Sequence, residues 1–291
     1  MNEPTFFEAV SQTPLLQRAL GAGALAGVSC AVLSPLVVLR RMAFVGDGMA
    51  HAAFGGIGLA LFLLPNAQYD DLSVQFVTIA FCVALGVAVG VVSRKATDSK
   101  IAEDSAIGIA FSVSMALGAL LIALRQRRGA QYVPPMDYYL FGSLLNIGTP
   151  ELVMLAGIAV SVLVVMILFH KELMFYTFDA RLAEVSGLNV GLFHYLFMSL
   201  LVLTVVISSR VVGIILVSAS LVLPGVIALQ VCRRLSSAMA VSALAGVCSF
   251  ELGMYASYVM QVHPGSAIVL IQFALLLIAS VAGMIGKRRA A

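Results

Sequence analysis

The chain has 291 residues, 61% of them hydrophobic, with 17 Lys or Arg set against 14 Asp or Glu. A soluble domain carries about 25% charged residues; at 11% this chain would have to expose more apolar surface than a soluble monomer tolerates. The composition therefore excludes a soluble enzyme, a disordered chain and a disulfide-stapled secreted scaffold, and predicts an all-α, polytopic transmembrane helical bundle of eight or nine spans.

A membrane-crossing helix needs about 20 apolar residues. Runs of that kind predict spans over 17–39, 46–64, 73–93, 104–124, 152–169, 193–208, 211–230, 236–260 and 266–286. The first span contains Gly23-x-x-x-Gly27 and the third Gly86-x-x-x-Gly90, small-residue pairs that let helices approach closely. The second opens on Gly46-Asp47-Gly48-Met49-Ala50-His51. Residues 125–151 hold Arg125, Arg127 and Arg128, then an amphipathic stretch over 138–147 with Gly142, which reads as a partly re-entrant segment. A polar segment, 170–190, follows the fifth span. Only Ser209-Arg210 separates the sixth from the seventh. Within the seventh, Pro224-Gly225 removes a backbone donor and predicts a kink or hinge. The spans form one integral membrane domain, 1–291. The opening Met1-Asn2-Glu3-Pro4, with no basic residue before Arg18, predicts no cleavable signal peptide. Cys30, Cys82, Cys232 and Cys248 lie in or beside apolar runs without a Cys-x-x-Cys pair, as small core residues do.

Orientation follows from the Lys and Arg bias of short loops. With Arg40 and Arg41 in the cytoplasm, twelve of the 17 basic residues fall inside and five outside. The N-terminus is then outside and the Lys287-Arg288-Arg289 end inside. Arg125, Arg127 and Arg128 are the misfit. The net charge of +3 is too small and too scattered for a nucleic-acid partner.

Catalytic signatures are missing. No Gly-x4-Gly-Lys-Ser/Thr loop occurs: Gly283-Met284-Ile285-Gly286-Lys287 is too short and runs into Arg288. His-Glu-x-x-His and Gly-x-Ser-x-Gly are absent too. The chain reads as a transporter and not as an enzyme, and ATP hydrolysis would need a separate partner.

Ionisable residues inside a membrane are costly and mark functional sites. Asp47 and His51 stand four apart, so on a helix they share a face, one turn apart. A carboxylate and an imidazole so placed suit Zn²⁺ or another first-row divalent ion; alternatively Asp47 caps its helix and hydrogen-bonds His51. In the 170–190 segment, Asp179 suits an N-cap and Gly187 a C′ residue. The seven residues between them form either a surface helix lying on its own domain or a docking helix for a cytoplasmic partner. Glu251 falls deep in the eighth span, lining the pathway or making a structural polar contact. His263-Pro264-Gly265 reads as an exterior turn.

Several of these stretches resemble the permease subunits of the bacterial zinc/manganese/iron metal-uptake ABC importers. The resemblance rests on Leu39-Arg40-Arg41-Met42 with Gly46-Asp47-Gly48-Met49-Ala50-His51, on Asp104-Ser105-Ala106-Ile107-Gly108, on the 179–187 segment, and on Val212-Gly213-Ile214-Ile215-Leu216-Val217 with Leu223-Pro224. Pro264-Gly265 is a weaker match. The resemblance implies a helical importer half. A second permease copy would complete a homodimer around a central path, with each half docked on a cytoplasmic ABC ATPase through Asp179, Arg181, Leu182, Glu184 and Gly187. An extracytoplasmic metal-binding protein would deliver the ion, and Asp47 and His51 would touch it. The family pattern has Ser before the His and Pro-Gly after it, where this chain has Ala50 and Gly55-Gly56, and Glu251 matches no part of that pattern.

The expected function is ATP-driven import of a divalent metal into the bacterial cytoplasm, leaning to zinc, with manganese and iron open and no permanently bound cofactor. The alternatives are an importer for a chelated metal or vitamin and a gradient-driven secondary metal transporter.

Overall fold

The computed structural model of the chain describes residues 6–68, 71–95, 103–128, 142, 144 and 147–290. Thirteen helices run through them: α1 (Phe6–Gln12), α2 (Pro14–Leu39), α3 (Ala43–Leu63), α4 (Leu72–Lys95), α5 (Glu103–Arg127), α6 (Thr149–Leu168), α7 (His170–Phe178), α8 (Ala180–Val185), α9 (Val190–Val212), α10 (Ile214–Ser220), α11 (Leu223–Val231), α12 (Leu235–Met260) and α13 (Pro264–Ala290). There is no strand among the described residues, so the fold is an all-α bundle. Among the described residues nine stretches are long and apolar enough to cross a membrane, α10 and α11 together forming one of them.

Small residues decide how the bundle packs, because lipid offers no hydrophobic drive for helix pairing and close backbone approach must supply it. On α2 the buried stripe Ala19, Ala22, Gly23, Ala26, Gly27, Cys30 follows the three-and-four spacing of one helical face. Gly23 and Gly27 of that stripe receive the fully buried ring of Phe250 from α12. The glycine-rich half of α3 does the same against α5: a Cβ at Gly55 or Gly58 would run into Ser114 or Gly118. The Ser114 hydroxyl donates to the Ala52 carbonyl at 3.0 Å. Thus α3 packs closely against α5 and α4, while Phe44 and half of the Asp47 side chain in its first turns stay uncovered.

Two breaks differ in place from the sequence expectation. The sixth span, α9, does not stop before Ser209-Arg210 but runs on to Val212, because neither residue disfavours helix and Arg210 complements the dipole of its last turn. Gly213, at φ 89° and ψ 157°, makes the turn instead, in a region that L side chains avoid. The backbone of Gly142, also at positive φ, packs directly against it. The second break falls at Leu221-Val222, so Pro224 opens α11 within its first turn, where the missing N–H costs nothing. Gly225 is a close-packing position: its N–H donates to Ser34 Oγ at 2.8 Å, and a Cβ would meet the Ser34-Pro35 backbone. Most of the 138–147 stretch lies outside the described residues.

Two of the three arginines that disturb the charge count make contacts within the protein. Arg125 is 5% exposed and its Nη2 donates to the carbonyls of Pro65 and Ala67 at 3.1 and 2.7 Å, tying down the turn after α3. Arg128 lies over the Phe62 ring. The four cysteines are free thiols.

Candidate metal centre

Met42, not Asp47, occupies the N-cap of α3. Asp47 is the fifth residue of the helix, past the turn whose N–H groups a cap could satisfy, so the capping alternative does not describe it. Its Oδ1 lies 3.7 Å from His51 Nε2, one turn further on. That is a charge-pair distance, too long for a hydrogen bond. The partner that sequence spacing missed is Ser218 on α10: its Oγ is 2.9 Å from Asp47 Oδ1 and 3.0 Å from the Ile214 carbonyl, two acceptors for one hydroxyl proton. The only sequence signal for it was a pair of serines, Ser218 and Ser220, in an otherwise apolar run.

Each element at the site is fixed. Gly46 sits against Leu221 and Gly48 against Ile107, which lets α3 approach α10 and α5 closely. The His51 ring packs edge-on to Phe111 at 4.8 Å between centroids. On α10, Ser220 takes a hydrogen bond from the wholly buried Gln272 of α13 at 2.9 Å, which holds the short helix in register. Beyond His51, Ala53, Phe54 and Ile57 line a small cavity with Ile214 and Arg210, so Arg210 borders the interior rather than a loop.

The arrangement offers one carboxylate, one imidazole nitrogen and one hydroxyl oxygen from two helices. The Asp47 side chain is 51% exposed and His51 20%. Among the described residues no cluster of three or more His, Cys, Asp or Glu exists. Glu251 therefore does not join Asp47 and His51; it is half-buried on α12, a helix packed on α2, α11 and α13. His263 lies in the turn between α12 and α13, exposed, with its pKa lowered by desolvation.

The 170–190 segment folds as two short helices. Asp179 is the N-cap of α8 and its Oδ1 accepts from the Leu182 N–H at 2.9 Å. Gly187 ends the helix at φ 86°, with its N–H bonded to Glu184 O and that of Leu188 to Ala183 O. Ala183 is buried, whereas Arg181 and Glu184 are exposed. Phe178, Leu182 and Val185 show 64%, 54% and 86% of their surface, an apolar ridge bordered by charge.

Comparison with known proteins gives the family. The chain matches the ABC 3 transport family over residues 12–283. It belongs to that family. It is 35% identical over 266 residues to the manganese transport system membrane protein MntC of Halalkalibacterium halodurans, covering 91% of this chain and 86% of the relative. Identity to the chelated iron transport system membrane protein YfeD of Yersinia pestis is 36% over 259 residues, 89% of this chain and 82% of that one. Among solved structures it is similar to PsaBC from Streptococcus pneumoniae in complex with Fab, with a TM-score of 0.79, 28% identity and 94% of both chains covered. The chain is thus a metal-transport ABC permease, a multi-pass protein of the bacterial inner membrane.

Proposed function

We propose that this permease imports a divalent first-row metal ion, driven by a separate ATPase, and that Asp47, His51 and Ser218 form its half of the ion's binding site. The observation that carries the reading is the convergence of these three donors from α3 and α10. A carboxylate half open in a membrane-spanning helix cannot face lipid at tolerable cost, so its open side must face water or another protein. A second copy related by a two-fold axis would supply the same three donors from the opposite wall, enough to replace most of an ion's hydration shell. The ion is the substrate here, so such a site should hold it only modestly.

The donor set bears on which metal is carried. Zn²⁺ accepts an imidazole readily, but the Asp47–His51 pair by itself fits Zn²⁺ and Mn²⁺ alike; Ser218 adds a hydroxyl oxygen to the Asp47 carboxylate. Oxygen-rich sets suit Mn²⁺ better than Zn²⁺, and the relatives named for their cargo carry manganese or chelated iron in their names. Manganese or ferrous iron is therefore the proposed cargo.

Energy enters through 170–190. The ridge of Phe178, Leu182 and Val185, flanked by Arg181 and Glu184, is apolar surface outside the nine spans, as a docking helix needs. An ATPase would seat there, with an extracytoplasmic metal-binding protein delivering ions at the opposite end. Reconstitution tests this reading. Permease and ATPase in liposomes should accumulate Mn²⁺ only with ATP. Accumulation by the permease alone under an ion gradient would overturn it.

A further inference from the structure

A buried contact network links the docking end of the molecule to the metal site. Arg40 is the C-cap of α2, and after it Arg41, at φ 58°, and Met42 turn the chain directly into α3. The Arg40 Nη1 donates to the Tyr176 carbonyl at 2.9 Å, and its guanidinium lies 3.8 Å over the Tyr176 ring. Tyr176 is 1% exposed and sits in the last turn of α7, two residues before Phe178 and three before the Asp179 cap of α8. Its hydroxyl lies 2.7 Å from His194 Nδ1 in the first turns of α9.

Those contacts place Tyr176 on both arms that build the metal site. Through Arg40 it touches the corner that launches α3, whose fifth residue is Asp47, about 6 Å along the axis from Ala43. Through His194 it touches α9, which continues past Gly213 into α10 and Ser218. The two arms meet again where Ser218 bonds Asp47. The circuit is closed: both arms meet at Tyr176 at one end, and what joins them at the other is the Ser218–Asp47 hydrogen bond.

We infer that Arg40 and Tyr176 are positioning residues that transmit movement of the 170–190 segment to the Asp47–Ser218 contact, so that ATP hydrolysis opens and closes the ion site. This rests on the proposed ATPase docking, and deepens it by naming the path. A planar guanidinium stacked on an aromatic ring and hydrogen-bonded to the same residue's carbonyl fixes distance and angle together, which a lysine cannot do. The phenol–imidazole bond adds a second fixed point at the far edge of the ring.

The test measures Mn²⁺ taken up per ATP hydrolysed, with permease and ATPase reconstituted together in liposomes. Arg40→Met should lower that ratio by at least about five-fold, the lower range for coupling between distant sites, while hydrolysis continues. Tyr176→Phe keeps the ring and the carbonyl and loses only the hydroxyl, so its ratio should fall less. Arg40→Lys should not restore the ratio. Loss of fold alone would lower hydrolysis and uptake in proportion by reducing assembled complex, and would leave the ratio unchanged. An unchanged ratio in both Arg40→Met and Tyr176→Phe overturns the inference while leaving ATP-driven import standing. Failure of the wild-type complex to couple uptake to ATP at all would instead overturn the import reading.

Discussion

Two aspartates near helix starts, Asp47 and Asp179, look alike in the sequence and differ in what satisfies them. Asp179 precedes its helix and accepts a backbone N–H that has no other partner, the ordinary work of a cap. Asp47 lies inside its helix, where backbone groups are already paired, and depends on a hydroxyl from another helix and an imidazole one turn away. The first arrangement is local, made by Asp179 with the N–H of Leu182 three residues on. The second exists only when α3 and α10 are packed together, and it leaves lone pairs over. A carboxylate held by the backbone of its own helix is structural; one held by replaceable side-chain partners can exchange them for a cation.

The sharpest way to break this comparison is to remove the charge at each aspartate. Asp47→Asn keeps the shape and loses the charge, and His51→Leu loses the nitrogen donor. Each should cut Mn²⁺ uptake by roughly 10–100-fold, the range that disturbing a metal's ligand shell produces, with protein level and ATPase assembly near wild type. Wild-type uptake by both variants, measured as accumulated metal in liposomes, would show the pair to be a packing contact.

At the other aspartate the effects should appear in assembly and not in ion binding. Gly187→Val puts a β-branched residue at φ 86°, where nothing crowds the new Cβ, so the cost is backbone strain of about 1–2 kcal/mol. That strain should distort α8 and weaken co-purification of the ATPase by about ten-fold, while the apparent KM for metal of the complexes that do form stays the same. Asp179→Ala removes one capping bond worth about 1 kcal/mol and should weaken docking about five-fold. A raised metal KM in either variant, with docking intact, would erase the distinction between the two regions.

How much of this was legible beforehand divides along the same line. Apolar runs located the bundle, because a spanning helix must satisfy its own backbone and shed its charges. The 3.6-residue period put Asp47 beside His51, and cap chemistry marked Asp179 and Gly187, since those relations are local. The turn at Gly213 was misplaced because Ser209-Arg210 looked like a loop by polarity, and polarity at a membrane-helix end says little about dihedral angles. Ser218, Arg40 with Tyr176, and the burial of Arg125 could not be read at all. Each is a contact between residues 58 or more apart in sequence, visible only once the helices are packed. Glu251 shows the same limit from the other side: depth in a span leaves pathway and structural contact equally open, because depth does not say which helix face points where. The packed helices show only that it does not cluster with Asp47 and His51.

The smallest expected effect belongs to Ser218, and it separates a ligand from a tether. Its one proton has two acceptors within hydrogen-bond distance, Asp47 Oδ1 and the Ile214 carbonyl. With the site empty, the Ser218 proton directed at Asp47 offsets part of the cost of holding a half-open carboxylate in a membrane-spanning helix. When a cation arrives at Asp47 that proton is repelled, and rotating it onto Ile214 turns a hydroxyl lone pair toward the ion at little cost. Ser218→Ala removes both functions, so the empty site loses a donor and the filled site loses a neutral ligand. These losses oppose each other in the binding equilibrium, which limits the net change to about two-fold in apparent KM for Mn²⁺, the low end of what one ordinary hydrogen bond contributes. Ser218→Thr keeps the hydroxyl and should restore the KM, while Ser218→Cys, with a softer sulfur, should shift preference toward Zn²⁺. Uptake assays with the two metals in competition measure that shift. If Ser218→Cys leaves the metal preference unchanged while Ser218→Ala raises the KM, Ser218 only tethers Asp47 and the ion is held by Asp47 and His51 alone.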